Sequence, residues 1–465
     1  MSDILILGAG LAGLSVSYHA GHEHCTILEK NDHAFGHIST EKINGFTWDE
    51  GPHVSFTSNE YVKELFKDSV GNQLLEYEVK VANYFNGSWI DHPAQSNLYQ
   101  VSEPLRSECI KSYMETQSAT NEDPKLPDNY AQWLEYSFGE VFAKNFPFLY
   151  TRKYWTIDPE KLGIDWVGTR VFQPKREEIL KGSLGPLGKE THYIKEVRYP
   201  LTGGYQQFAN KLAEGARIEL NKEVVKVDLQ KKEVTTRDGK IYPYKKLVNT
   251  LPLPIFVGLC VQAVSEMKEA ATRLSCSQIL IVNITAPHTT RRPENWIYVY
   301  DEDMLSTRIN FTERLSPKNA PEGFTGVQVE VYASKFKPFT KKPDEIGQQV
   351  LEEVIKMGLI DCDVKQEVEV ILKEVPWANV IFTNETTDLL NAIWKGFEEW
   401  GLNREFDDTH PLTDWQLKNS KTNNFGSLIM AGRFGQWKYY WTDDCVLRGE
   451  IIGRYMNSYS AGKQI

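Results

Sequence analysis

Apolar residues fall in short blocks separated by glycine-rich or charged turns, and the spacing inside each block predicts its element. Residues 3–7 (DILIL) are an apolar run closed by Gly8, Gly10 and Gly13 and followed by the helical spacing of LSVSYHA. That pattern predicts strand, tight turn and helix. Further strands are predicted over 25–29, 223–228 and 245–250. Helices are predicted over 105–117 and 128–147, the second with Trp133, Leu134, Phe138, Val141, Phe142 and Phe146 on a broad apolar face that reads as core. Between 276 and 335 the period becomes two: QILIVNIT, NWIYVYDE and GVQVEVYAS alternate apolar and polar residues. An antiparallel sheet with one solvated or ligand-facing side is expected from it, and a floor for a substrate is inferred. After GRFGQWKYYWT a last helix is expected through VLRGEIIGRYM, with Thr442 or Asp443 as its N-cap.

The order of these elements predicts an α/β fold. A doubly wound, Rossmann-like dinucleotide-binding domain would be assembled from discontinuous segments 1–65, 195–265 and 422–465. A mainly helical domain would occupy 66–194 and an antiparallel-sheet substrate domain 266–421. The charged, glycine-rich stretch between Phe172 and Glu196 reads as a mobile lid or as an exposed loop.

Composition narrows the function classes. With 465 residues, 41% hydrophobic and 25% charged, the chain is globular, and a net charge of −11 gives no global basic field for nucleic acid or anionic lipid. No apolar run reaches the roughly 18 residues that cross a bilayer, so no membrane span and a cytoplasmic protein are expected. The six scattered cysteines are expected to be reduced and mostly buried. His19, His22, His24, His33 and His37 lack acidic or thiol partners at ligand spacing, so they read as polar turn residues and no metal is expected.

The glycines have separate tasks. Gly8 permits the turn, Gly10 lets backbone approach a pyrophosphate, and Gly13 lets helix and strand pack closely. A second strand, CTILEK, ends in Glu29 at the spacing at which a carboxylate accepts hydrogen bonds from a ribose diol. No Ser/His/Asp constellation, carboxylate pair or metal motif stands out, so a cofactor is expected to carry the chemistry.

At GFTWDEGPHVSFTSNEYV the chain resembles the UDP-galactopyranose mutases, within the flavin amine oxidase and protoporphyrinogen oxidase-like FAD superfamily. Further landmarks follow in family order: HPAQSNL, KYWTIDPEKLGIDWVGTRV, YPLTGGYQQFANKL and GRFGQWKYYW. The last is closest to the longer, eukaryotic-type mutases. The resemblance implies FAD, active when reduced, held by Gly8, Gly10, Gly13, Glu29, Gly36, Val225 and Arg433, with a phosphate or the ribityl chain at the N-terminus of the last helix. It implies a nucleotide-diphosphate sugar as substrate, by default UDP-galactopyranose and UDP-galactofuranose, and a reductant such as NAD(P)H. The implied reaction runs through a reduced-flavin N5–sugar adduct with no net redox change. His53, under the flavin, and Arg170 and Arg308, on the diphosphate, are the implied catalytic groups; Gln95, Trp155, Tyr298 and Tyr439 would bind substrate. Three differences from those enzymes stand out. His92 replaces a tyrosine, VPWANVIFTNE lacks a late tyrosine, and an asparagine before YPLTGG is not evident. An FAD-dependent amine oxidase, dehydrogenase or desaturase, and a flavin-binding protein without catalysis, remain open beside the mutase.

Overall fold

Strand Ile4–Leu7 is buried at all four positions, as a parallel strand covered on both faces must be. Lys246–Asn249 and Cys25–Leu28 flank it in parallel, with Leu428–Met430 and Ile218–Glu219 at the edges. This five-stranded sheet, drawn from segments far apart in sequence, is the expected α/β doubly wound core. The computed structural model describes residues 3–122, 127–168, 171–187, 196–287, 292–404 and 425–460.

Helices Leu11–Ala20 and Thr442–Ser460 lie against each other beside this sheet. Glycines set their approach: a Cβ at Gly453 would lie 2.5 Å from the Cβ of His19, and one at Gly449 would overlap Ser15. The Ser15 hydroxyl then donates to the Val446 carbonyl at 2.7 Å. The last helix is capped differently from the expectation. Thr442 is already its first residue, and the Trp441 N–H donates to the Asp444 carboxylate at 2.7 Å. His19 also departs from expectation, being a helix residue rather than a turn residue. Its Nδ1 donates to the Ser15 carbonyl at 2.6 Å, its Nε2 meets the Tyr61 hydroxyl, and burial pulls its pKa down to about 4.

The second sheet has seven strands in the order Glu369–Val375, Gln278–Ala286, Thr325–Ala333, Arg308–Phe311, Trp296–Val299, Val81–Phe85 and Ser88–Asp91. The last two come from the stretch expected to be mainly helical, and Trp296–Val299 pairs with Val81–Phe85 in parallel, so the sheet is mixed. Leu280, Val282, Val327 and Val329 face helix Pro343–Lys356 through Ile346, Val350 and Val354. Alternation sends the residues between them to the other face. There one register row runs Lys373, Ile281, Glu330, Arg308, Tyr298 and Asn83.

The block expected as one helix over 128–147 is two, Tyr130–Phe138 and Glu140–Asn145, followed by Pro147–Tyr154. The break has a steric cause. Gly139 has φ +81°, and a Cβ there would lie 2.6 Å from the backbone nitrogen of Tyr113 on the crossing helix Leu105–Glu122. Leu134, Phe138, Phe142 and Phe146 are buried in a shared cluster. Cys25, Cys109, Cys260, Cys276 and Cys445 are free thiols, the first three buried. No helix among the described residues is long and apolar enough to cross a membrane.

Candidate functional site

Gly8 and Gly13 do the steric work that the sequence implies for them. Gly8 has φ +99° and leaves no room for a side chain beside Thr250; Gly13 leaves none beside the Gly8 carbonyl. A Cβ on Gly10, by contrast, would meet no heavy atom within 4 Å. This open side is where a pyrophosphate can approach backbone and helix N-terminus. Gly36, at φ +52°, brings a second turn onto the first: its Cβ would lie 3.1 Å from the Gly10 Cα, and the Phe35 N–H donates to the Ala9 carbonyl at 2.8 Å.

Glu29 is 7% exposed and accepts from the Ala9 N–H at 2.9 Å and the Asn31 N–H at 3.0 Å. One bond per oxygen orients the carboxylate and leaves a lone pair on each for a diol. The Lys222 N–H donates to the Glu29 carbonyl, which leads the chain into strand Val224–Asp228. A register shift between Val224 and Lys226 takes Val225 out of the ladder, 38% exposed. The residues present therefore fit a dinucleotide such as FAD.

The turn at 51–53 is held from beneath. Asp49 is buried and accepts from the Thr40 hydroxyl and the Tyr199 phenol, both at 2.6 Å, and from the Tyr205 N–H at 3.0 Å; burial pushes its pKa up to about 6. Gly51, at φ +90°, lies so close to Glu330 that a Cβ would come within 2.8 Å of its carboxylate. The Nδ1 of His53 donates to the Gly51 carbonyl at 3.1 Å. Burial, with Arg308 and Arg433 adding to it, pulls His53 down to about 4, so its ring is neutral at pH 7.

From this turn a cavity of about 410 Å³ extends between the seven-stranded sheet and the helices. His53, Gln95, Trp155, Tyr298, Arg308, Arg433 and Tyr439 all line it. Arg170 lies outside the described residues, as do 188–195 of the stretch read as a lid or an exposed loop. The rest of that stretch includes helix Arg176–Gly182, whose Gly182 lies tightly on the Ser96 carbonyl next to Gln95. The Gln95 amide donates to the Phe172 carbonyl at 3.3 Å. Trp155 stacks at an angle on Tyr439, 5.3 Å between rings, and the Tyr439 and Tyr154 hydroxyls are 3.3 Å apart. Tyr298 lies beside His92, whose Nδ1 is 3.0 Å from the Asn83 amide oxygen.

Both described arginines are engaged. Arg433, which the resemblance implies as a flavin contact, donates to the Tyr440 carbonyl through Nε at 2.8 Å and Nη2 at 2.5 Å, and to the Asn379 side chain at 3.2 Å. It braces the loop that carries Tyr439. Arg308 was expected open to a diphosphate. It makes a forked pair with Glu330, Nε to Oε2 and Nη2 to Oε1, both at 2.6 Å, and Glu330 also accepts from the Tyr332 phenol at 2.9 Å.

Glu330, Tyr332, Tyr150, Tyr154 and Trp166 line the cavity without having been foreseen. The period-two alternation of GVQVEVYAS signals the first two, since it puts Gln328, Glu330 and Tyr332 on one face. Leu134, Phe138 and Phe142, read as core alone, also line the cavity. Burial raises the pKa of Tyr150, Tyr154, Tyr298 and Tyr332, so the phenols stay protonated near neutrality and can donate hydrogen bonds.

Residues 11–389 match the family of flavin containing amine oxidoreductases. The chain belongs to this family. Its dinucleotide is accordingly FAD, and the protein is a flavin enzyme of the amine oxidase superfamily. Its sequence relatives include the 4,4'-diapophytoene desaturase (4,4'-diaponeurosporene-forming) of Staphylococcus aureus strain Newman, 23% identical over 428 residues, 79% of this chain and 83% of that one. Among solved structures, reduced UDP-galactopyranose mutase superposes with a TM-score of 0.85 at 20% identity, covering 99% of this chain and 94% of its own. Putrescine oxidase bound to putrescine superposes with a TM-score of 0.61 at 13% identity, covering 99% of both. These likenesses concern the fold: a flavin-binding sheet joined to a second sheet and helices.

Proposed function

We propose that the protein is a flavin-dependent nucleotide-sugar mutase that interconverts pyranose and furanose forms, with UDP-galactopyranose and UDP-galactofuranose as the default pair and NAD(P)H as a source of reducing equivalents. The observation that carries this reading is a convergence. Gln95, Trp155, Tyr298, Arg308 and Tyr439, from five separate segments, line one cavity that reaches the turn bearing His53. Aromatic faces suit the apolar side of a sugar or base, and protonated phenols with a fixed guanidinium suit hydroxyl and phosphoryl oxygens.

Reduced flavin supplies a nucleophilic nitrogen for the anomeric carbon. The chain's own residues do the rest. Asp49 fixes the turn at 51–53, so neutral His53 meets the cofactor in one orientation. Tyr154 and Tyr439 share a hydrogen bond in which one phenol keeps a proton to donate to the departing diphosphate. Trp155 and Trp166 shield the reacting centre from water, which would otherwise hydrolyse the sugar. Arg170 is proposed as a second diphosphate contact on the resemblance of its segment alone.

One observation favours a second reading, an oxidoreductase that takes hydride from its substrate: the charge of Arg308 is cancelled by Glu330, and a substrate without phosphate needs no free cation. Anaerobic incubation of dithionite-reduced protein with UDP-galactopyranose, followed by chromatography, separates the two. Many furanose products per reduced flavin are expected. Absence of furanose, together with oxidised protein whose flavin is reduced anaerobically at one oxidised product per flavin, would transfer the assignment to the oxidoreductase.

A further inference from the structure

The Arg308–Glu330 pair joins directly opposed residues of neighbouring strands. The Glu330 side chain is 2% exposed and that of Arg308 23%. Both carboxylate oxygens face the guanidinium fork, the Tyr332 phenol takes a further lone pair, and Gly51 closes over the group. A ligand cannot displace Glu330 cheaply, because a carboxylate this deeply buried would lose its counter-charge with little water to replace it. Nor does the pair offer a net charge. What the fork leaves over is Nη1, which takes no part in it.

We propose that Glu330 is a specificity-determining residue: a built-in counter-ion that cancels the charge of Arg308 toward the cavity. The sheet floor then recognises its ligand by hydrogen-bond direction, and small anions are not retained. An oxygen of the ligand, held elsewhere by the phenols and aromatic rings, is read at Nη1 in one direction. Free phosphate or diphosphate, lacking those other contacts, gains little. The inference rests on the nucleotide-sugar reading for the natural ligand, whereas the charge cancellation rests on the geometry of the pair.

The alternative is that the pair only braces two strands. Glu330→Gln separates them, since it keeps size and one acceptor oxygen but leaves Arg308 with its full charge. Titration of the flavin-loaded protein with inorganic diphosphate, followed by calorimetry, is expected to show an affinity about tenfold or more higher in Glu330→Gln than in wild type, and the gain should shrink with added salt. In the double variant Arg308→Gln/Glu330→Gln the gain should vanish. Equal affinity in wild type and Glu330→Gln, or a gain that survives in the double variant, overturns the proposal. If Glu330→Gln loses its flavin, the same comparison in Glu330→Met decides it, with the same two refuting outcomes. UDP titrated in parallel keeps the two readings apart. Wild-type protein that ignores UDP, beside a variant that gains diphosphate, sinks the nucleotide-sugar reading and leaves the role of Glu330 standing.

Discussion

Lys153 offers the sharpest test of how the cavity walls are held. It is 3% exposed, and its ammonium donates to the carbonyls of Asp301 at 2.6 Å and Ser306 at 2.7 Å. From the other side Glu353 accepts the N–H groups of Leu305 at 2.8 Å and Ser306 at 2.9 Å. The clamped loop joins the strand of Tyr298 to that of Arg308, and Lys153 sits between Tyr150 and Tyr154 on the helix that walls the cavity. Burial pulls the pKa of Lys153 from 10.5 down to about 7, against the opposing pull of Glu353 and Asp301, with Lys337 adding to the descent. In the unfolded chain the proton stays on until 10.5, so between pH 7 and 10.5 the unfolded state binds more protons and stability rises with pH. A gap of about 3.5 pH units at about 1.4 kcal/mol each sets a ceiling of about 5 kcal/mol. Lys153→Met removes this contribution. Urea melts of both proteins across that range should therefore diverge, with wild type gaining on the variant by at most about 1.4 kcal/mol per pH unit. Parallel curves would mean that Lys153 keeps its proton throughout and that the clamp is an ordinary ion cluster.

Three further outcomes follow from single sites. Gly10→Ala should fold with near wild-type stability of the flavin-free protein yet lose flavin on dialysis, because its Cβ meets only the space a pyrophosphate needs; Gly13→Ala should melt lower before any flavin is added, because its Cβ overlaps the Gly8 carbonyl. Arg308→Ala should cost about 3–5 kcal/mol in a denaturant melt by leaving Glu330 buried with the Tyr332 phenol alone, and adding Glu330→Gln should recover part of it; additive losses would show no coupling. His19 and His53 are neutral in the fold down to about 4, whereas an unfolded histidine takes its proton near 6.5. Stability should thus fall as pH drops from 6.5 toward 4, less steeply in His19→Gln and His53→Gln, and an unchanged acid slope in both would contradict their burial.

How far the sequence reached depended on whether a feature is local. The tasks of Gly8 and Gly13 are set within one strand, turn and helix, and they are as the spacing implies, while Gly10 presents open space on the same turn. Strands Val81–Phe85 and Ser88–Asp91 were missed in a stretch read as mainly helical, although ANYFNGSWID carries a local hairpin signal, an Asn-Gly turn with both residues at positive φ (Asn86 +48°, Gly87 +75°). The break at Gly139 was not legible, because its cause is the backbone of Tyr113, 26 residues earlier in the chain and brought there only by packing. The capping of the last helix lies between these cases: an acidic pair at its start was visible, but which carboxylate reaches back to Trp441 depends on where the loop delivers the chain.

The ligand's charge shows most plainly why residue type alone falls short. Arg170 and Arg308 in the segments of the resemblance suggest a substrate diphosphate, and Arg433 a flavin pyrophosphate, because a guanidinium is always charged and its donors match phosphate oxygens. What a ligand meets is that charge after the protein's own acceptors have been served. Arg433 is taken by the Tyr440 carbonyl and Asn379, contacts that leave its charge uncancelled, while Arg308 is taken by a buried carboxylate that cancels its charge. Glu330 lies 22 residues from Arg308 on the neighbouring strand and Asn379 lies 54 residues from Arg433, distances along the chain that no motif encodes, whereas Tyr440 is seven residues from Arg433 in the same segment. Substrate class therefore turns on the partners of the arginines. In this protein the acidic partner of Arg308 was visible as one letter of an alternating strand, and its meaning came only with the strand beside it.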